Sequence, residues 1–197
     1  MGDGGSHAVH PLRPGPLGKG GRACAARYQP PGSGKTTLVL ETVRSLSVPA
    51  GGFYTQEMRR GGRRVGFRLV TLDGREAALA SVESSSRLRV SRYGVDLRAL
   101  DEVGVPALLE ATRRGWLVVV DEIGKMELLS QRFQEAVLAT LESDSPVFGT
   151  IMQARHPFAD AVKSRPDVHV VTLSPDRREE TAAEVQRRLR PLLGLPS

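Results

Sequence analysis

The residues best suited to chemistry form a polar stretch, residues 29–37, that leads into the apolar run Leu38-Val39-Leu40. Glycines at 32 and 34 lack a Cβ and let the backbone curl around a phosphate with its N–H groups pointing inward. A helix predicted to begin near Lys35 adds unpaired N–H groups and the positive end of its dipole. The stretch therefore predicts a nucleotide-binding phosphate loop. Its predicted binding residues are Gln29, Pro30, Pro31, Gly32, Ser33, Gly34, Lys35, Thr36 and Thr37.

Two side chains of this loop have specific predicted roles. Lys35 is placed to reach the β- and γ-phosphates and to act in catalysis, and the hydroxyl of Thr36 is placed to bind Mg²⁺. The first position departs from the usual pattern, because Gln29 stands where a glycine is expected. A non-glycine residue held in the left-handed conformation costs about 1–2 kcal/mol. A catalytically impaired variant is therefore one alternative for this chain.

The segment before the loop, residues 21–28, is a poor candidate for the buried strand that normally precedes a phosphate loop. Its side chains are small or charged, whereas buried parallel strands are rich in Val, Ile and Leu. We therefore expect the N-terminal strand to be degraded or missing. Residues 1–27, which contain seven Gly and three Pro, are predicted to be a disordered tail, and residues 28–197 a single domain.

A second motif lies about 85 residues downstream, where five apolar residues, 116–120, are followed by Asp121 and Glu122. Such a run suits a strand buried on both faces of a parallel sheet, and the two acids fall at its carboxyl end, where open α/β sheets bind ligands. We expect Asp121 to hold Mg²⁺ and Glu122 to orient or deprotonate the attacking water. The alternative is a buried strand whose acids cap the next helix.

Strands alternate with helices along the rest of the chain. Apolar periodicity predicts helices at 35–46, 96–114, 127–141, 157–163 and 176–193, and strands at 52–55, 64–72, 116–120, 146–151 and 168–173. Thr150 falls at the end of one of these strands, where it either senses the γ-phosphate or is an ordinary strand-end threonine. This alternation predicts a three-layer α/β fold with a mostly parallel central sheet.

Composition narrows the possible partners. The net charge is +6 and the pI is near 10.1, which raises the possibility of a nucleic-acid partner. However, residues 1–27 carry four basic side chains and one acidic one, and the rest is only mildly basic. The only cysteine, Cys24, fits a reducing, cytoplasmic compartment, and no apolar run is long enough to span a membrane. We predict a monomer that binds nucleotides rather than nucleic acid or a membrane.

Several longer strings share a common resemblance. They are residues 52–57, 62–67, 93–97, 120–128, 149–151 and 174–177, of which the run Asp-Glu-Ile-Gly-Lys-Met-Glu at 121–127 is the most specific. Together they resemble the cancer-related nucleoside-triphosphatase family of small P-loop enzymes over about residues 30–190.

The resemblance implies a RecA-like P-loop fold and Mg²⁺-dependent hydrolysis of nucleoside triphosphates (ATP, GTP, CTP, UTP and TTP) to diphosphates and phosphate, with little base preference. It implies that residues 30–36 are the phosphate loop and that Asp121 and Glu122 are the metal and water residues. It also implies that the segment around them flanks the nucleotide. The further residues implied in this way are Val120, Ile123, Gly124 and Lys125.

Two other classes of protein share part of this pattern. A nucleotide or nucleoside kinase has the same loop, but it needs an acceptor site and usually an arginine-rich lid, neither of which is evident. An RNA-binding module is suggested by the charge alone, without a recognisable aromatic motif. Arg155 and Arg177 are candidates for an arginine finger on the γ-phosphate, although solvated surface arginines are the more common case.

Overall fold

The computed structural model describes residues 23–28, 34–173 and 175–196. The strands of this part of the chain form a single sheet. They are β1 (Ala23–Tyr28), β2 (Ala50–Arg60), β3 (Arg63–Thr71), β4 (Glu76–Ser81), β5 (Arg89–Val90), β6 (Tyr93–Val95), β7 (Leu117–Ile123), β8 (Val147–Ile151) and β9 (Val168–Leu173). Their order across the sheet is β5-β6-β4-β3-β2-β7-β8-β1-β9.

Six α-helices are present in the same described ranges. They are α1 (Lys35–Leu46), α2 (Leu97–Ala99), α3 (Val105–Arg113), α4 (Gln131–Glu142), α5 (Pro157–Lys163) and α6 (Arg178–Leu192). A π-helical turn, Leu100–Gly104, joins α2 to α3, and short 3₁₀ turns cover Glu127–Leu129 and Pro175–Arg177. None of the helices described is both long enough and apolar enough to cross a bilayer.

The sheet has a parallel half and an antiparallel half. Strands β2, β7, β8, β1 and β9 pair in parallel, whereas β3, β4, β6 and β5 continue from β2 as antiparallel neighbours. Parallel pairing brings the carboxyl ends of β1, β7 and β8 to one edge. The predicted α/β fold is therefore confirmed: its five parallel strands carry that edge, and an antiparallel extension continues the sheet beyond β2.

Strand β7 shows why the fold has three layers. Its residues are buried on alternating faces: Val118 and Val120 pack in one core cluster with Phe133 of α4, while Leu117 and Val119 pack in another with Val185 of α6. A strand whose two faces both pack against helices has no solvated side, which accounts for its unbroken apolar run.

The N-terminal strand was predicted to be degraded or missing, and the structure shows that it is present and paired on both sides. Strand β1 lies between β8 and β9 and pairs with both in parallel, with Cys24 opposite Phe148 and His169. Its small side chains are sufficient because the neighbouring strands supply the bulk: Cys24 packs in one buried cluster with Phe148 and Val171. Residues 23–27 therefore belong to the sheet rather than to a tail, and residues 1–22 lie outside the described part of the chain.

Candidate active site

The site is built where the end of β7 meets the beginning of α1. Gly34 directly precedes that helix in the left-handed conformation, with φ of 80°. Only glycine adopts this conformation without a cost of about 1–2 kcal/mol, which explains the residue type at this position. The other predicted loop residues, Gln29, Pro30, Pro31, Gly32 and Ser33, lie outside the described residues.

Lys35 and Glu122 form an ion pair across this junction, although they are 87 residues apart in sequence. The Lys35 Nζ donates a hydrogen bond to Glu122 Oε2, and the two side chains are 17% and 26% exposed. The ion pair is thus partly buried but still accessible to a ligand. The Lys35 ammonium can therefore exchange the Glu122 carboxylate for a phosphate oxygen.

Asp121 is the buried centre of the site, with only 1% of its surface exposed. The hydroxyl of Thr36 donates to Asp121 Oδ2 at 2.6 Å, and the hydroxyl of Thr150 donates to Asp121 Oδ1. The pKa of Asp121 lies above its ordinary value because burial disfavours the charged form, and the two hydrogen bonds offset part of that rise. The threonines therefore fix both carboxylate oxygens in place.

The oxygen atoms of Asp121 and Thr36 are suitable ligands for a magnesium ion. Mg²⁺ prefers oxygen ligands and is usually held by one or two carboxylates together with substrate phosphates, and Asp121 and Thr36 offer a carboxylate and a hydroxyl side by side. Within the described ranges there is no group of three or more His, Cys, Asp or Glu residues that could hold a metal on its own. Asp121 and Thr36 are therefore the described residues whose oxygen atoms fit such an ion.

A second glutamate, Glu127, was not predicted as a site residue. It is 5% exposed, in the 3₁₀ turn that follows β7. A Cβ placed on Gly124 would lie 2.8 Å from Glu122 Oε1 and 2.9 Å from Glu127 Oε2, so the two carboxyl groups converge on that glycine. Burial, and then the charge of Glu122, raise the pKa of Glu127 to about 8. The only signal in the sequence is the position of Glu127 within the Asp-Glu-Ile-Gly-Lys-Met-Glu run.

The buried acid predicts a pH-dependent stability. The pKa of Glu127 rises from 4.5 to about 8 on folding, so between these values the folded protein binds a proton that the unfolded chain has released. The free energy of unfolding should therefore fall as the pH rises, by at most about 1.4 kcal/mol per pH unit, and level off above pH 8. In urea titrations from pH 5 to 9 without nucleotide or metal, Glu127→Gln should show a flatter profile.

A matched control for this measurement is Glu135→Gln, which removes an exposed glutamate of α4. This variant should keep the slope of the parent protein. Parallel profiles for the parent and Glu127→Gln would contradict the assignment of the raised pKa to Glu127.

The remaining predicted residues of this segment do not all face the site. The side chains of Val120 and Ile123 are buried in the core cluster between the sheet and α4, so they position the neighbouring acids. Gly124 is buried beside the two glutamates, whereas Lys125 is exposed, as is Thr37 in the first turn of α1. Lys35, Thr36, Asp121 and Glu122 are therefore the predicted residues that meet across the junction of β7 and α1.

The two arginine candidates are surface side chains. Arg177 is 71% exposed and forms an ion pair with Glu180 at 2.7 Å, and Arg155 is exposed. Arg178, which was not predicted, has its guanidinium against the phosphate loop: a Cβ placed on Gly34 would lie 3.4 Å from Arg178 Nη1. No local pattern in the sequence distinguishes Arg178 from its neighbour, because the contact depends on how α6 packs on α1.

Comparison with known proteins agrees with this geometry. The chain is 44% identical to Nucleoside-triphosphatase THEP1 of Thermotoga maritima over 155 residues, which cover 79% of this chain and 88% of the relative. It is 38% identical to the human Cancer-related nucleoside-triphosphatase over 172 residues, which cover 79% and 90%.

Two solved structures share the fold. The crystal structure of THEP1 from Aquifex aeolicus superposes with a TM-score of 0.74 at 32% identity, covering 82% of this chain and 96% of that one. The solution structure of a human cancer-related nucleoside triphosphatase gives 0.73 at 34% identity, covering 86% and 98%. The family model described as NTPase matches residues 29–186. The chain therefore belongs to this NTPase family.

Proposed function

We propose that this protein hydrolyses nucleoside triphosphates to nucleoside diphosphates and inorganic phosphate, with Mg²⁺ as cofactor. The observation that carries the proposal is the meeting of two pairs of residues: Lys35 with Glu122, and Thr36 with Asp121. The relatives are named nucleoside-triphosphatases, which supports the same reaction class. Their names specify no base, and we extend the proposal to ATP, GTP, CTP, UTP and TTP.

Each residue has a distinct part in this reaction. The first N–H groups of α1 and the Lys35 ammonium bind phosphate oxygens, and Thr36 and Asp121 would hold Mg²⁺. When bound, Mg²⁺ neutralises charge on the β- and γ-phosphates. When Lys35 exchanges Glu122 for phosphate, the Glu122 carboxylate becomes free to accept a hydrogen bond from water. The oxygen of that water attacks the γ-phosphorus while one of its protons passes to the Glu122 carboxylate. The bond between the γ-phosphorus and the β-phosphate oxygen breaks, and the nucleoside diphosphate leaves with the electron pair of that bond.

Product analysis tests this proposal. Without an added acceptor, we expect the full chain to convert each nucleoside triphosphate into one nucleoside diphosphate and one inorganic phosphate in the presence of Mg²⁺. In EDTA it should form neither product. Gln29→Gly restores the glycine that usually stands first in the phosphate loop, and this variant should release phosphate faster than the parent protein. A kinase would instead release no measurable phosphate and would transfer the γ-phosphate to an added nucleoside or nucleotide. Absence of Mg²⁺-dependent release from both the parent and Gln29→Gly would overturn the proposal.

A further inference from the structure

Arg178, the first residue of α6, contacts both Gly34, which directly precedes α1, and Glu41 of α1. Its guanidinium packs against Gly34, with Nη1, Cζ and Nε at 3.4, 3.6 and 4.0 Å from the position of an added Cβ. Its Nη2 donates to Glu41 Oε2 of α1 at 2.9 Å. The Arg178 side chain is 39% exposed, so it is accessible to a ligand that lies beside Gly34.

The position of Arg178 relative to Glu122 determines which end of a nucleotide it can contact. Glu122 lies on β7, which is separated from β1 by β8, whereas Arg178 follows β9 on the other side of β1. A triphosphate whose γ-phosphate lies beside Glu122 and Lys35 therefore extends its other end toward β9 and α6. Arg178 is thus on the side of the α-phosphate and away from the bond that breaks.

We propose that Arg178 binds the α-phosphate of the bound nucleotide, exchanging Glu41 for a phosphate oxygen when the nucleotide enters. This inference rests on the proposed function for the direction in which the nucleotide lies. Arg178 would be a substrate-binding residue that contributes equally to triphosphate and diphosphate affinity. Since the α-phosphate is common to all nucleotides, this contact would be independent of the base.

The chemistry of the resting contacts supports this exchange. A guanidinium presents N–H donors in a planar fork that matches a carboxylate or a phosphate, so Glu41 occupies a place that a phosphate oxygen can take. The packing of α6 on α1 fixes the backbone position of Arg178. A second contact between these helices is the hydrogen bond that Gln186 Nε2 donates to Ser45 Oγ at 3.0 Å. Arg178 is therefore held near the loop before any ligand arrives.

The test is the affinity for MgADP, which requires no turnover, measured by calorimetry on the full chain beside steady-state phosphate release. Arg178→Ala should weaken MgADP binding about 10- to 100-fold and raise KM similarly, with kcat changed less than about threefold. The loss should be equal for ADP, GDP, CDP and UDP. Arg178→Lys should lose less, and Glu41→Gln should bind MgADP more tightly, because a competing carboxylate is removed. Arg177→Ala, the matched control on the adjacent exposed residue, should match the parent.

Three outcomes would overturn the assignment. A fall in kcat with unchanged MgADP affinity would place Arg178 at the γ-phosphate, and a loss confined to purine nucleotides would indicate stacking on the base. Unchanged binding in Arg178→Ala would make it a surface residue. If the parent binds MgADP but releases no phosphate, the hydrolase proposal fails, while the loss of affinity in Arg178→Ala still supports the contact.

Discussion

Replacement of Glu122 by Gln is expected to lower kcat about 10²- to 10⁴-fold, the range contributed by a positioned general base. The glutamine keeps the shape of the side chain but cannot accept the proton of the attacking water. MgATP binding should be retained or become tighter, because Lys35 loses the Glu122 carboxylate, which competes with phosphate for its ammonium group. Single-turnover phosphate release and nucleotide titrations measure the two effects separately.

The exposed Glu135 on α4 again offers a matched control, since Glu135→Gln makes the same chemical change away from the site. That variant should retain the parent rate. A Glu122→Gln protein with parental kcat would remove Glu122 from the chemistry. A rate lost together with all nucleotide affinity would make the Lys35–Glu122 pair a structural contact instead.

Replacement of Asp121 by Asn should lower phosphate release by at least about 10²-fold and raise the Mg²⁺ concentration needed for half-maximal activity. Removing the carboxylate charge weakens the hold on the ion, whose charge stabilisation is worth several kcal/mol in such reactions. The amide can still exchange hydrogen bonds with Thr36 and Thr150, so the fold should persist. Phosphate release titrated with Mg²⁺ measures the change.

The control is Asp73→Asn, because Asp73 also accepts a hydrogen bond from a threonine, Thr71, in a turn far from the loop in sequence. This variant should keep the parental dependence on Mg²⁺. An Asp121→Asn protein with the same rate and the same dependence would show that Asp121 does not hold the ion.

The pairing of Lys35 and Thr36 with Asp121 and Glu122 could be predicted from sequence because parallel strands bring their carboxyl ends to one edge. The strand Val168–Leu173 was predicted at its observed bounds, because its apolar run ends in Ser174-Pro175. Strand β1 was missed for the opposite reason. Its small side chains carry little signal of their own, and its burial depends on Phe148 and Val171 of neighbouring strands.

Other features depended on tertiary contacts that local patterns do not encode. Strand β2 was predicted at 52–55 but extends over Ala50–Arg60, because its polar second half pairs with β3 across the turn at Gly61 and Gly62. The positions of Glu127 and Arg178 beside the site could not be predicted from local patterns either. Glu127 is placed by a 3₁₀ turn that folds back toward Glu122, and Arg178 meets Glu41 across 137 residues of sequence.

Hydrolysis in ¹⁸O-labelled water tests whether water beside Glu122 attacks the γ-phosphorus. With MgATP and the full chain, mass spectrometry should find the label incorporated at cleavage in the released phosphate and none in the ADP. The rate of incorporation should fall in Glu122→Gln in parallel with phosphate release. Label in the ADP, or incorporation at the parental rate in Glu122→Gln, would contradict the mechanism proposed for this site.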